Sequence, residues 1–307
     1  MPPEGVPWLP TPTLLSDPEV VRLAAIAVER LGIRRIRLTG GEPLLRPQVS
    51  DLVAQIAQLR TDEDRAPEIA LTTNGVSLER YAFELAAAGL TRVNISLDSL
   101  DPERYRQLAG ADRLPAVLRG LQAAKAVGLT PVKVNTVVMR GRNEADIVPL
   151  TDYCLSQGFH IRFIEQMPLG ADGTWSRHNM VGGAAILAAL SDHFALTPVP
   201  GRGASPAQEW EVAGNDCHPA GRVGLIASVS DPFCTDCDRT RITADGQLRS
   251  CLFAKTETDL RALLRSGCSD AEIAEVWRQT HQAKTAGHDI GQAGFRKPTR
   301  TMSAIGG

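Results

Sequence analysis

The chain reads as an α/β protein in which strand-helix units repeat around a parallel sheet. Three observations carry that reading. From residue 18 to about 164, helical periodicity alternates with short β-rich runs. The residues just past those runs are polar and specific rather than generic turn formers. After Glu165 the alternation stops, and short β-like runs gather around a cysteine-rich segment. At 307 residues, 43% of them hydrophobic, the chain can supply a sizeable core, either for one large barrel or for more than one domain.

In order, the expected strands are Arg35 to Thr39, Ile69 to Thr73, Arg92 to Leu97, Val132 to Val138 and Ile161 to Ile164. Amphipathic stretches of crossover-helix length lie at Val20 to Leu31, Val49 to Leu59, Leu78 to Ala88, Leu114 to Val127 and Ile147 to Ser156. These strands make up most of a barrel, and in barrels chemistry gathers where strands end. The ends here are Gly40-Gly41-Glu42-Pro43, Thr72-Thr73-Asn74-Gly75, the series Asn94, Ser96 and Asp98, the pair Lys133 and Asn135, and Arg162-Phe163-Ile164-Glu165. Alternation along a strand puts Arg37 with Thr39 on one face, and likewise Asn94 with Ser96 and Asp98. Any one of these residues is explained by a capped turn or a satisfied buried polar layer. Together they point to a ligand.

A boundary is expected near residue 172, dividing a barrel over 1–172 from a C-terminal domain over 173–307. The second part holds a loop with Gly170, Gly173 and Trp175, a helix near Ala184 to Leu190 and a Pro/Gly-rich section from Pro198 to Pro206. It continues with β-like runs at Val223 to Val229 and Arg241 to Thr243, a helix near Leu260 to Leu264, and a polar tail ending in Gly306-Gly307. The net charge of −2 and a pI near 6.3 do not suit nucleic acid or an anionic membrane as partners, so any anion must be met locally. No stretch approaches the ~20 apolar residues of a membrane span, and residues 1–5 lack the pattern of a signal peptide, so the cytoplasm is the expected compartment.

The most informative segment is Phe233-Cys234-Thr235-Asp236-Cys237-Asp238-Arg239-Thr240-Arg241, answered by Cys251. A disulfide would leave one of these three thiols unpaired. A structural zinc ion would want a fourth ligand, for which His218 is a candidate, whereas a [4Fe-4S] cluster on three cysteines leaves one iron open. The spacing alone fits either metal centre. Arg239 and Arg241 beside the thiols suit an anionic substrate. Cys154 reads as core, and Cys217 and Cys268 have no evident partner. The other histidines show no ligand spacing.

Six segments together resemble one family. They are Arg37-Leu-Thr-Gly-Gly-Glu-Pro-Leu-Leu-Arg46, Leu71-Thr-Thr-Asn-Gly75, Val93-Asn-Ile-Ser-Leu-Asp-Ser-Leu100, Lys133-Val-Asn-Thr-Val-Val-Met-Arg140, Arg162-Phe-Ile-Glu-Gln-Met167 and Phe233 to Arg241. They are similar to the GTP 3′,8-cyclases, the radical S-adenosylmethionine (SAM) enzymes that begin molybdenum-cofactor (molybdopterin) biosynthesis. The resemblance runs along essentially the whole chain. It implies an incomplete (β/α)6 TIM-type radical SAM barrel that lacks its first strand, followed by a cluster-binding domain. It assigns Gly41, Ser96 and Met167 to SAM, and Arg37, Thr72, Lys133, Arg162, Arg239, Thr240 and Arg241 to GTP. It makes Cys234, Cys237 and Cys251 the ligands of a C-terminal [4Fe-4S] cluster whose open iron holds the purine. It also implies that the Gly-Gly end enters the active site. In the family, an electron from a second, N-terminal [4Fe-4S] cluster splits SAM; the resulting radical takes hydrogen from C3′ of GTP, and the new carbon radical closes on C8. Cyclic pyranopterin monophosphate synthase acts next, and a homodimer stays open.

One departure stands out. The family's Cys-x3-Cys-x2-Cys run is absent, Cys154 is the first cysteine, and residues 1–10 resemble the stretch directly after that run. The chain therefore reads as a cyclase cut after its radical-generating loop, through a misassigned start or fragmentation. Two alternatives are a cluster-less homologue that binds GTP without catalysis and a zinc-stabilised aldolase-type barrel with Lys133 as a Schiff-base lysine in an apolar setting.

Overall fold

Local chemistry starts and stops the elements. In a computed structural model of the chain, which describes residues 9–170, 175–285, 287, 290, 295 and 297–306, Ser16 and Glu19 form a capping box at the start of α1 (Asp17–Ala25). A π-helical turn, Ile26–Arg30, comes next, and then β1 (Arg35–Leu38), α2 (Val49–Ala57), β2 (Glu68–Thr73), α3 (Leu78–Ala87) and β3 (Arg92–Ser96). After β3 come α4 (Pro102–Ala109), α5 (Leu114–Ala126), β4 (Lys133–Val138), α6 (Ile147–Gln157) and β5 (His160–Glu165). The second part contributes α7 (Gly183–Ser191), β6 (Leu196–Pro198), β7 (Gln208–Val212), β8 (Gly221–Ile226), β9 (Arg241–Ile242), β10 (Gln247–Arg249) and β11 (Thr258–Asp259). It ends with α8 (Leu260–Arg265), α9 (Asp270–Gln282) and α10 (Met302–Ile305).

The main sheet has eight strands in the order β1-β2-β3-β4-β5-β8-β7-β6. β1 to β5 and β8 pair in parallel, and β7 and β6 continue the sheet as an antiparallel hairpin. With helices between successive parallel strands, this is a partial TIM-type barrel. One face of the strands is almost wholly apolar: Ile69, Leu71, Val93, Ile95, Val134, Ile161, Phe163 and Val223 are all fully buried. They share one core with Leu52, Val53 and Ile56 of α2, Leu85 of α3 and Leu121 of α5. Each such side chain contributes about 1.5–3 kcal/mol on burial.

The strand-helix alternation foreseen over the first part is present, and the Pro/Gly-rich section forms the turn between β6 and β7. The helices α4 and α9, and strands β6, β7, β10 and β11, were not anticipated. In α4 only Tyr105 is buried, so no apolar stripe announces it; the Asp101 cap and Gly110, with φ of 69°, define its ends. The sheet itself runs on past residue 172, because β8 pairs with β5.

Two further apolar clusters join the parts. One packs Leu23, Ile26 and Ala27 against Leu248, Leu260, Leu264, Ile273 and Trp277. The other gathers Leu169, Met180, Val229, Leu252, Phe253, Ile290 and Ile305. Glu165 is fully buried at the end of β5. Its carboxylate accepts from Gly183 N (2.6 Å), Val229 N (2.7 Å), Ser230 N (2.9 Å) and the Ser230 hydroxyl, which locks β5 to the start of α7 and to the loop after β8. Among the described residues, no helix is long and apolar enough to cross a membrane.

Candidate active site

The other face of the sheet is polar and cationic. Register places Thr72 opposite Asn94, Asn94 opposite Lys133, and Lys133 opposite His160. One step on, Ser96 lies opposite Asn135, Asn135 opposite Arg162, and Arg162 opposite Gly224. Paired residues of parallel strands project to the same side, so these form layers on one concave surface. Arg162 is 6% exposed and reaches along this layer, donating to Asn135 Oδ1 (2.9 Å) and Asn94 Oδ1 (2.8 Å), while Asn94 Nδ2 donates to Thr72 Oγ1 (3.2 Å). Gly224 makes room for this, since a Cβ there would stand 2.9 Å from Arg162 Cγ.

The positive charges crowd one another. Burial, then repulsion by Arg37 and Arg92, pushes Arg162 down to about 9. Desolvation of its guanidinium, then Arg92 and Arg239, lowers Arg37 to about 10, although its side chain still reaches solvent at the sheet edge. Both stay ionised at neutral pH. Lys133 is lowered first by burial and then by Arg162; Glu209 of β7 opposes this from 3.7 Å. A surface whose cations repel one another is disposed to gain from a polyanion.

At the C-terminal ends of the strands, Glu42 ties two βα loops together. Its carboxylate accepts from the Thr73 hydroxyl (2.7 Å) and Asn74 N (2.7 Å), and also from Leu44 N (3.1 Å). That leaves the exposed Gly41 beside a fixed turn with no Cβ to cover its backbone. Ser96 is exposed at the end of β3, and Met167 lies two residues beyond β5, partly buried against the cluster that contains Ile305.

The cysteine segment folds beside β1. Arg35 of β1 faces Asp238 at 3.6 Å, and Arg239 lies close enough to lower both Arg37 and Arg241. Burial, then Arg239, brings Arg241 down to about 10. Thr240 is bonded back to Arg249 O at 3.3 Å. Cys234, Cys237 and Cys251 are all free thiols and partly exposed. Burial raises Cys237, but the Arg239 amide and guanidinium and the Lys284 ammonium outweigh it and leave the thiol at about 7. Burial, then the charges of Cys251 and Cys237, raises Cys234. Among the described residues, no three His, Cys, Asp or Glu side chains close into a group that could hold a metal ion. As a donor set, however, three uncrosslinked thiols within each other's field and flanked by cations fit a cluster that draws them together.

Two family models match the chain: the Radical SAM superfamily over residues 3–154 and Molybdenum Cofactor Synthesis C over residues 159–290. A GTP 3′,8-cyclase of Corynebacterium glutamicum is 54% identical over 310 residues, covering 100% of this chain and 82% of that protein. The GTP 3′,8-cyclase of Mycolicibacterium smegmatis is 53% identical over 308 residues, with 100% and 84% covered. The chain belongs to the GTP 3′,8-cyclase family.

Within that family frame, Arg37, Thr72, Ser96, Lys133 and Arg162 share the concave face, and Arg239 and Arg241 approach it from the cysteine segment. Gly306, with φ of 77°, lies against β1's end, where a Cβ would stand 3.0 Å from Thr39 Cγ2; Gly307, His288 and Gly173 lie outside the described residues. Both zinc-barrel expectations fail. His218 is buried with its ring nitrogens facing Asn215 Nδ2 (3.2 Å) and Pro219 O (2.9 Å), and Lys133 sits among arginines and opposite a carboxylate rather than in an apolar pocket. Cys154 is fully buried in α6, where burial raises its thiol, so it is core. Residues 1–307 contain no Cys-x3-Cys-x2-Cys run, so they supply no ligand set of that form for a SAM-cleaving cluster. Sequence reading passed over Glu68, Arg92, Glu209 and Lys284. Arg92 shares its strand face with Asn94 and Ser96 by simple alternation and is ion-paired to Glu68, so it was open to the same rule.

Proposed function

We propose that this protein acts as a GTP 3′,8-cyclase, converting GTP to (8S)-3′,8-cyclo-7,8-dihydroguanosine 5′-triphosphate for molybdopterin biosynthesis. The single observation that carries the reading is the convergence of Arg37, Lys133 and Arg162 from the sheet with Arg239 and Arg241 from the cysteine segment. Guanidinium forks bind phosphate oxygens in pairs, so this constellation suits a triphosphate even though the net charge is −2. Thr72 adds a hydroxyl on the face that carries Lys133 and Arg162, and Thr240 would add one from between Arg239 and Arg241. Gly41, Ser96 and Met167 would hold SAM at the strand ends, and Cys234, Cys237 and Cys251 would hold a [4Fe-4S] cluster against Arg239.

SAM held there would supply hydrogen-abstracting chemistry toward C3′ of GTP only with an electron from a cluster whose Cys-x3-Cys-x2-Cys ligand run residues 1–307 do not contain. The residues of this chain orient the ribose toward that side, neutralise the triphosphate and keep water from the reacting carbon. The Asn94–Arg162–Asn135 network fixes Arg162 in advance, so little side-chain ordering is required on binding. We place the enzyme in the cytoplasm, with its product passing to cyclic pyranopterin monophosphate synthase.

Anaerobic calorimetric titration of the protein with GTP tests the reading. One GTP should bind per chain, and Arg162→Ala should weaken it by about 10- to 100-fold, since a charge-assisted hydrogen bond contributes ~1.5–3 kcal/mol. Equal affinity in parent and variant would remove the basis for placing GTP on the concave face.

A further inference from the structure

Lys284 stands just past the C-terminus of α9, a helix anchored through Ile273, Ala274 and Trp277 in the cluster shared with α1. Its ammonium has three N–H bonds, and three acceptors face it: Cys237 O at 2.7 Å, Arg239 O at 2.9 Å and Cys237 Sγ at 3.1 Å. Two of these belong to the residue read as the second thiol ligand, and the third belongs to a residue read as a GTP ligand. Arg239 folds back over the same sulfur, with Nη2 at 3.3 Å and Nε at 3.4 Å, while its guanidinium lies over the Phe233 ring at 4.6 Å. Cys251 differs: it receives the Phe253 N–H at 3.4 Å, and among the described residues no side-chain cation donates to it.

We infer that Lys284 is a positioning residue that clamps the Cys237-Asp238-Arg239 turn, so that the Cys237 sulfur and the Arg239 guanidinium are presented together and the sulfur carries a cationic N–H donor. The inference rests on reading Cys234, Cys237 and Cys251 as cluster ligands. A carbonyl-anchored ammonium holds the backbone on both sides of Asp238, which no hydrogen bond to the sulfur alone could do. A positive donor on one ligand sulfur withdraws charge from it, which favours the reduced cluster and raises the potential. The same clamp sets where Arg239 leaves the backbone, so one substitution should affect two properties that are otherwise unconnected.

The test compares the parent with Lys284→Met, Lys284→Gln and Lys284→Arg after anaerobic reconstitution, with far-ultraviolet circular dichroism to verify folding. In Lys284→Met, iron should pass to a chelator about tenfold faster, the midpoint potential should fall, and GTP should bind about tenfold more weakly, the low end of effects for a residue that orients a ligand. Lys284→Gln should hold the turn through its amide and keep most of the GTP affinity but show the lowered potential. Lys284→Arg should return the potential toward the parent value. Folded variants that match the parent in potential, iron release and GTP affinity would overturn the inference, as would loss of folding in all three. A parent that takes up no iron would instead sink the cluster reading, and the GTP titrations would then decide the clamp alone.

Discussion

The concave face of the sheet and the cysteine segment both present clustered cations, held in place by different means. On the sheet, backbone register does the aligning: Thr72, Asn94 and Lys133 line up because their strands pair, and side-chain bonds only refine the result. In the cysteine segment no ladder is available between Asp231 and Thr240, and the turn is held by Lys284, by Arg239 on Cys237 and by Arg35 opposite Asp238. The sheet half of the site is therefore pre-formed. The loop half depends on a few polar contacts and on whatever its thiols bind, and such segments are where ligands order a structure.

The largest effect that could break this comparison lies at Glu165. Replacing it with Leu removes the acceptor for the buried Gly183 and Val229 N–H groups and for the part-buried Ser230 N–H, and should cost ~3–5 kcal/mol in urea denaturation. A loss below about 1 kcal/mol would mean that the sheet half does not need this knot.

A smaller effect concerns the end of β3. Burial raises the Asp98 carboxyl from 3.8 to about 6, against the pull of the Val137 N–H. Because its folded-state value is raised, the stability it contributes is fully present below about pH 3.8 and is lost as pH rises through about 6. Asp98→Asn keeps an acceptor for Val137 and cannot ionise. Relative to the parent, it should gain ~1–3 kcal/mol between pH 4 and pH 7 in denaturation midpoints. Parallel pH profiles for the two proteins would contradict the buried-carboxyl account.

Gly224→Ala sharpens the comparison at lower amplitude. Its new methyl must displace Arg162 by a few tenths of an ångström, so GTP affinity should fall about fivefold with ~1–2 kcal/mol of destabilisation, and iron uptake should not change. Altered iron uptake would show that the two halves are mechanically coupled rather than merely adjacent.

Legibility in the sequence divides along the same line. Alternation put Arg37 with Thr39 and Asn94 with Ser96 and Asp98, because strand geometry turns sequence spacing into a shared face, whereas Thr72, Lys133 and Arg162 stood out as polar strand residues whose roles came from the resemblance. The hairpin of β6 and β7 was not legible, and with it Glu209 was missed: its pairing with Lys133 depends on an antiparallel strand added beyond β8. Lys284 was hidden for a similar reason, being separated by 47 residues from the sulfur it contacts, and so no local pattern marks it. Glu165 was visible as a polar strand end, but not as a buried knot, since its partners come from α7 and from the loop after β8.

The central claim is that sheet and loop together form one site for GTP. A double-mutant cycle on GTP affinity between Arg37→Ala and Arg241→Ala tests it most directly, because these guanidinium groups come from different halves and lie within each other's field. If one triphosphate engages both, the combined loss should depart from the sum of the single losses by ~0.5–3 kcal/mol. Strict additivity, or a single substitution without effect, would contradict a shared site.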